Sequence, residues 1–104
     1  MTETSATLPT LADLRDYVAE MLCQFDELLV GAFPVTERLL VQGNSVCGVS
    51  FCLHGPRRVQ FRAIWEAERD TIWFYDCTGA RAGRTRLLES PQLESLEQLA
   101  AQLN

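Results

Sequence analysis

Three short segments in the middle of the chain have the composition of β-strands and are separated by turn sequences, and the first two alternate between apolar and polar residues. They span residues 46–54, 58–66 and 71–77, with a Gly-Pro pair in the first gap and a charged tetrapeptide in the second. Period-two alternation is typical of a half-buried β-strand, and gaps this short join neighbouring antiparallel strands. The sequence therefore predicts an antiparallel meander.

The third of these segments differs from the other two because both of its faces are apolar. Trp73 and Tyr75 point to one side of the strand, and Ile72 and Phe74 point to the other. One helix covers only one side of a sheet, so one pair must be covered by a second element or by a partner. An exposed aromatic patch usually marks a protein interface. These four residues are our first candidate site, a partner-binding or dimer surface.

The hairpin between the second and third segments has a predicted register. A three-residue loop places Arg62 opposite Asp76, an attractive charge pair, and Ile64 opposite Phe74, an apolar pair. Both cross-strand pairs are favourable, so we expect this alignment.

Helices are predicted on either side of the meander. Apolar residues recur at three- and four-residue steps over 11–30, with Thr10 as the cap and Gly31 as the stop. Ser90 and Pro91 are typical of the start of a second, short helix that runs to the end of the chain.

These elements predict one α+β domain over residues 9–104, preceded by a flexible tail over 1–8. The expected architecture is a two-layer sandwich: a long N-terminal helix, an antiparallel meander of three or four strands, and a short C-terminal helix. The fourth strand is placed at 84–88, and residues 35–45 are ambiguous between a strand and a loop. The order of these elements resembles that of double-stranded-RNA-binding domains and of small acidic secretion chaperones. No motif of either family is present, so we assign the chain to neither.

Charge suggests a second candidate site. The chain carries a net charge of −5, yet arginines outnumber acidic residues within 57–86. This cluster is a candidate site for phosphate, RNA or an acidic partner, or else a solvated sheet edge that discourages aggregation. The overall acidity argues against avid nucleic-acid binding. The arginines of the cluster are Arg57, Arg58, Arg62, Arg81, Arg84 and Arg86.

Catalytic and metal sites are weakly indicated. His54 is the only histidine, and Cys52 lies two residues away on the same strand face, about 6.6 Å along the strand, too far for a thiol–imidazole pair. Cys52, His54 and Cys77 could lie at one end of the sheet, but the middle strand would separate them too widely for zinc. We therefore predict no catalytic residue, no metal ion and no cofactor.

The sequence favours a small, non-enzymatic protein-interaction module, of an adaptor or chaperone kind, which binds a partner or a second copy through a sheet face or edge. The alternative is a nucleic-acid or phosphate binder that uses the arginine cluster. No signal peptide and no membrane span are evident, so the expected location is the cytoplasm, without a membrane partner.

Overall fold

A computed structural model describes residues 2–25, 27–92 and 96. Within these residues, the elements of the structure are one α-helix, a short 3-10 turn at Pro56–Arg58 and one sheet. The helix is α1 (Leu11–Phe25), and the strands are β1 (Thr2–Thr7), β2 (Val35–Gln42), β3 (Ser45–His54), β4 (Gln60–Glu66), β5 (Thr71–Tyr75) and β6 (Arg81–Glu89). The strands lie in the order β1-β6-β5-β4-β3-β2. The pairing of β1 with β6 is parallel, and all other pairings are antiparallel.

The core lies between α1 and one side of the sheet. Leu14, Val18 and Leu22, at the expected helical spacing, are fully buried against it. The rings of Phe25 and Phe74 meet edge to face, with their centroids 5.4 Å apart. Burial of such side chains stabilises the fold by about 1.5–3 kcal/mol each. The sheet contributes alternate residues of four strands to the core: Val49, Phe51, Leu53, Phe61, Ala63, Trp65, Ile72, Phe74 and Leu87.

The predicted fold was correct as an α+β class with a sheet, but wrong in its strand count and its sheet type. The sheet has six strands and is mixed, where an antiparallel sheet of three or four was expected. The ambiguous segment 35–45 supplies β2 and the turn into β3. The fourth predicted strand, at 84–88, is the longer β6, and it is not an edge because β1 pairs with it.

Strand β1 replaces the flexible tail that was expected over residues 1–8. Its pairing with β6 is reinforced by side chains: Thr4 Oγ1 lies 2.7 Å from Thr85 Oγ1, and Glu3 forms an ion pair of 2.7 Å with Arg84. Tyr17 of α1 joins the same group through a hydrogen bond of 2.8 Å with Thr85. Polar contacts between residues that are far apart in the sequence therefore order a segment that has no apolar period of its own.

The helix is shorter than predicted. Thr10 caps it as expected, because its Oγ1 accepts a hydrogen bond of 3.1 Å from the backbone N–H of Asp13. Its end differs, since Glu27 adopts a left-handed φ of 54° and Leu28 N–H donates to Cys23 O at 2.8 Å. That pair of features is a Schellman motif, which usually contains glycine. The predicted stop at Gly31 therefore lies beyond the real one.

The register of β4 with β5 is one residue away from the predicted one. Arg62 pairs with Tyr75, and Ile64 pairs with Trp73. The loop at 67–70 has four residues, and Asp70 takes a left-handed φ of 45°. In this register Trp65 lies opposite Ile72 on the core side of the sheet. A slip of one residue would have put half of the core on the wrong face.

No element of the described structure matches the predicted C-terminal helix. Residues 90–92 are not helical and Leu96 is helical, while the rest of that segment lies outside the described residues. Leu96 is buried with the core, 2% exposed. The likeness to RNA-binding domains and secretion chaperones depended on the predicted element order, which the six-stranded sheet replaces. No helix in the described part of the chain is long and apolar enough to cross a membrane.

Candidate functional site

The side of the sheet that faces away from α1 is the most distinctive surface of the molecule, and we call it the open face. In the part of the chain that the structure describes, no helix or strand lies over it. It consists of every second residue of the strands, and these alternate with the core residues. Its centre is formed by Arg62, Ile64, Trp73, Tyr75 and Arg84.

Trp73 is half-buried on this face although nothing apolar covers it. The guanidinium carbon of Arg81 lies 4.2 Å from the centroid of its ring, and that of Arg84 lies 5.7 Å away. Its indole N–H donates a hydrogen bond to Oε1 of Glu66. Cation–π contacts of this kind contribute about 0.5–1 kcal/mol each at exposed sites. The chain therefore covers its own tryptophan with arginine side chains.

Two depressions lie side by side on the open face, with cavity volumes of about 460 and 410 Å³. The first is lined by Ile64, Tyr75 and the loop at 76–79, and the second is lined by residues of β2 and β3. Gln60 and Arg62 line both. The guanidinium group of Arg62 is held only loosely, because the single hydrogen bond described for it is one of 3.2 Å from Nη2 to Oε1 of Gln60. Arg62 therefore stands between the two depressions and can reach a ligand in either.

The loop that borders the first depression is held by Asp76. One of its carboxylate oxygens accepts hydrogen bonds from the backbone N–H groups of Thr78 and Ala80 and from the Thr78 hydroxyl. The hydrogen bonds from Thr78, and then those from the backbone, lower the pKa of this carboxyl below its usual range. Asp76 is thus engaged within its own loop and forms no ion pair with an arginine in the described part of the chain.

The open face is basic, whereas the outer face of α1 is acidic. Only Arg84 forms an ion pair among the described arginines of the open face. The arginines on the open face are Arg38, Arg62, Arg81, Arg84 and Arg86, and the glutamates are Glu3 and Glu66. The exposed acids of α1 are Asp13, Asp16 and Glu20. A protein with a net charge of −5 therefore presents one positively charged sheet face.

The residues considered for chemistry are dispersed. The ring Nε2 of His54 lies 2.9 Å from the Thr36 hydroxyl, so this nitrogen is engaged by β2. Cys52 lines the second depression, and Cys77 lines the first. All four cysteines are free thiols. Within residues 2–25, 27–92 and 96, no group of three or more His, Cys, Asp or Glu side chains is placed to hold a metal ion.

The two sites predicted from sequence share one surface. Trp73 and Tyr75 lie on the open face together with Arg62 and the arginines of β6. Ile72 and Phe74, the other half of the aromatic candidate, are 0% exposed and belong to the core.

Some residues of the arginine cluster lie elsewhere, and some residues of the surface were not predicted. Arg57 and Arg58 lie in the 3-10 turn at the end of the sheet, both exposed and with left-handed φ values of 58° and 63°. Sequence reasoning missed Arg38, because the strand that carries it was ambiguous. No alternation could have found it, because Glu37 lies between Thr36 and Arg38 and the next three residues are all apolar.

Comparison with known proteins adds no family to this description. Scans against protein-family models, curated proteins and solved structures each find no significant match. A function for this chain is therefore argued from the geometry and charge of the open face.

Proposed function

We propose that this chain is a non-enzymatic protein-interaction module that binds its partner across the open face of the sheet. The observation that carries the proposal is the contrast between the two sides of β5. Ile72 and Phe74 are fully enclosed by α1, whereas Trp73 and Tyr75 are only half-buried and lie among arginines. Aromatic and arginine side chains are the residues enriched at the energetic centres of protein interfaces.

Charge argues against a second copy of this chain stacked face to face. Such a dimer would bring two arginine-rich surfaces together, and like-charge contacts at an interface cost several kcal/mol. The proposal therefore takes a different protein as the partner on this face. Self-association through a sheet edge stays a prediction, which light scattering coupled to gel filtration measures directly.

Geometry also argues against single-stranded nucleic acid on this face. Such ligands bind by stacking bases on exposed aromatic rings. Arg81 already lies over the ring of Trp73, and Glu66 sits at its N–H. A base would have to displace the arginine and approach a carboxylate. The nucleic-acid alternative therefore has weaker support, although the arginines keep it testable by salt-dependent binding to an oligonucleotide.

The test compares charge reversal on the two sides of the molecule. The wild-type chain, Arg62→Glu on the open face and Glu20→Arg on α1 are immobilised and incubated with an extract of the source cells. Retained proteins are identified by mass spectrometry, purified and measured again against each variant. We expect a partner that binds the wild type and Glu20→Arg alike, and that binds Arg62→Glu about tenfold more weakly or worse.

Circular dichroism of both variants establishes that the fold is retained, which Arg62 and Glu20 permit because neither is buried. A partner that binds the Arg62→Glu and wild-type chains equally, or that is lost only from Glu20→Arg, would place the interaction elsewhere. The proposed function would then be wrong for this face.

A further inference from the structure

We infer that the occupant of the open face is an acidic amphipathic helix of the partner protein, with its apolar side over Ile64 and Tyr75 and its carboxylates over the flanking arginines. This inference rests on the proposed function and adds the chemical class and the conformation of the ligand. The basis is complementarity in charge, in backbone hydrogen bonding and in size between the open face and such a helix.

Charge is the first argument. Arg38, Arg62, Arg81 and Arg86 have no ion-pair partner among the described residues, and they lie on both sides of the apolar centre at Ile64. Arginine forms bidentate, charge-assisted hydrogen bonds to carboxylates, which are stronger than neutral ones. A partner that carries Glu or Asp on either side of an apolar stripe would form ion pairs with the arginines on both sides of Ile64 at once. A basic or neutral segment would leave these guanidinium groups desolvated without compensation.

Backbone hydrogen bonding is the second argument, and it selects a helix over a strand. An extended peptide gains affinity on a sheet mainly by pairing with an edge strand. On the open face, the backbone N–H and C=O groups of β3, β4 and β5 are already paired with neighbouring strands. An extended segment lying across them would bury its own polar backbone without partners. A helix satisfies its backbone internally and offers only side chains.

Size is the third argument. Six strands about 4.8 Å apart span about 24 Å from edge to edge. A helix of about 15 residues is about 22 Å long, as α1 is on the opposite side. The first depression, with Ile64 and Tyr75 in its wall, gives room for an apolar side chain of the incoming helix, and the polar second depression, which contains Arg38, gives room for one of its carboxylates. The partner helix would thus complete a third layer on a sheet that, among the residues the structure describes, has a helix on one side only.

The experiment uses the full chain and three synthetic probes. The first is a fluorescein-labelled amphipathic helical peptide with leucines on one side and glutamates on the other. The second has lysine at every glutamate position, and the third is a labelled oligothymidylate. Binding is followed by fluorescence anisotropy at low and at physiological salt, and the emission of Trp73 reports contact with the open face because Trp65 is fully buried.

We expect the glutamate peptide to bind at least about tenfold more tightly than the lysine peptide, and to weaken as salt rises. Arg62→Glu and Arg38→Glu should each weaken it about tenfold, whereas the matched Glu20→Arg should not. Two charge-reversed variants are used so that poor folding of one does not decide the result. Equal binding of the two peptides, or tighter binding of oligothymidylate, would overturn the inference.

The two proposals fail in different ways. Suppose that the partner purified from the extract binds the open face but carries no acidic helix, or that the lysine peptide displaces it better than the glutamate peptide does. In either case only the inference on ligand class is wrong. If Arg62→Glu leaves the natural partner unaffected, the open face is not the interface and the proposed function itself is wrong.

Discussion

The two sides of the sheet differ in which side chains cover them, although they are built from the same strands. On the side of α1, Phe74 and its neighbours are enclosed by apolar side chains and contact no solvent. On the open face, Tyr75 is one residue away in the same strand, yet it lies among arginines. The comparison teaches that the enclosed side determines stability, whereas the open face can vary in charge without loss of the fold.

The sharpest measure of this difference is the reactivity of two cysteines, one on each side. Burial raises the pKa of Cys23, which is 2% exposed, whereas Cys52 is partly exposed in a depression of the open face. Cys23 should react with iodoacetamide at least about a thousandfold more slowly than Cys52, because its labelling requires unfolding. Timed labelling followed by mass spectrometry measures both sites in one sample.

The same pKa direction gives a pH dependence. Because the pKa of Cys23 is raised in the folded state, its contribution to stability is complete below the ordinary value of 9.0 and is lost as the pH rises through the folded-state value.

Similar labelling rates at Cys23 and Cys52 at neutral pH would show that α1 does not seal its side of the sheet.

Substitutions of neighbouring residues in β5 should separate the two sides next. Phe74→Ala leaves a cavity beside Phe25 and should lower the free energy of unfolding by about 3–5 kcal/mol. Tyr75→Ala removes a half-buried ring and should cost about 1 kcal/mol. Urea unfolding followed by circular dichroism measures both, and equal losses would contradict the assignment of the two faces.

A smaller effect is expected on the enclosed side at the one fully buried polar side chain among the residues that the structure describes. Thr85 lies within hydrogen-bond distance of Thr4 and Tyr17 and is 0% exposed. Thr85→Val keeps the shape but removes both contacts, so we expect a loss of about 1–2 kcal/mol. Hydrogen exchange should rise most in β1. Tyr17→Phe is the matched control, because it removes the contacts of Tyr17 with Thr4 and Thr85 but keeps the hydrogen bond between Thr4 and Thr85 that joins β1 to β6. An unchanged β1 in Thr85→Val would contradict the role of this group.

The smallest effect on stability belongs to the open face. Arg81→Ala removes a cation–π contact with Trp73 and should lower the free energy of unfolding by less than about 1 kcal/mol. It should also shift the emission of Trp73, because the indole loses its covering cation. A loss of several kcal/mol in urea unfolding would mean that the open face is part of the stabilising framework and not a surface free to bind.

Sequence alone predicted the parts of this molecule that depend on local pattern. The apolar stripe placed Leu14, Val18 and Leu22 on the buried side of a helix, and alternation separated Trp73 from Phe74. It failed where pairing is long-range or atypical. Strand β1 has no apolar period and is ordered only by β6, and Glu27 ends the helix in a conformation that usually needs glycine.

The sequence analysis treated the aromatic residues and the arginines as two alternative sites. Only the strand order and register of the sheet show that they share one surface. The aromatic residues and most of the arginines lie on separate strands, so their contact depends on strand register, and favourable cross-strand pairs alone led to the wrong register for β4 and β5. The one-residue error in pairing β4 with β5 moved Ile64 from Trp73 to Phe74. That error would have placed a core residue on the open face and hidden the apolar centre of the site.

The parallel pairing of β1 with β6 has a consequence for biosynthesis. Residues 2–7 leave the ribosome well before their partners in β6, which emerge only after all the strands between them. During translation the intervening strands can form hairpins in order, while segment 2–7 stays in solvent without a partner. Docking of that segment is therefore expected to follow the formation of the hairpins, and in a nascent chain residues 2–7 should become resistant to protease only after residues 81–89 have emerged.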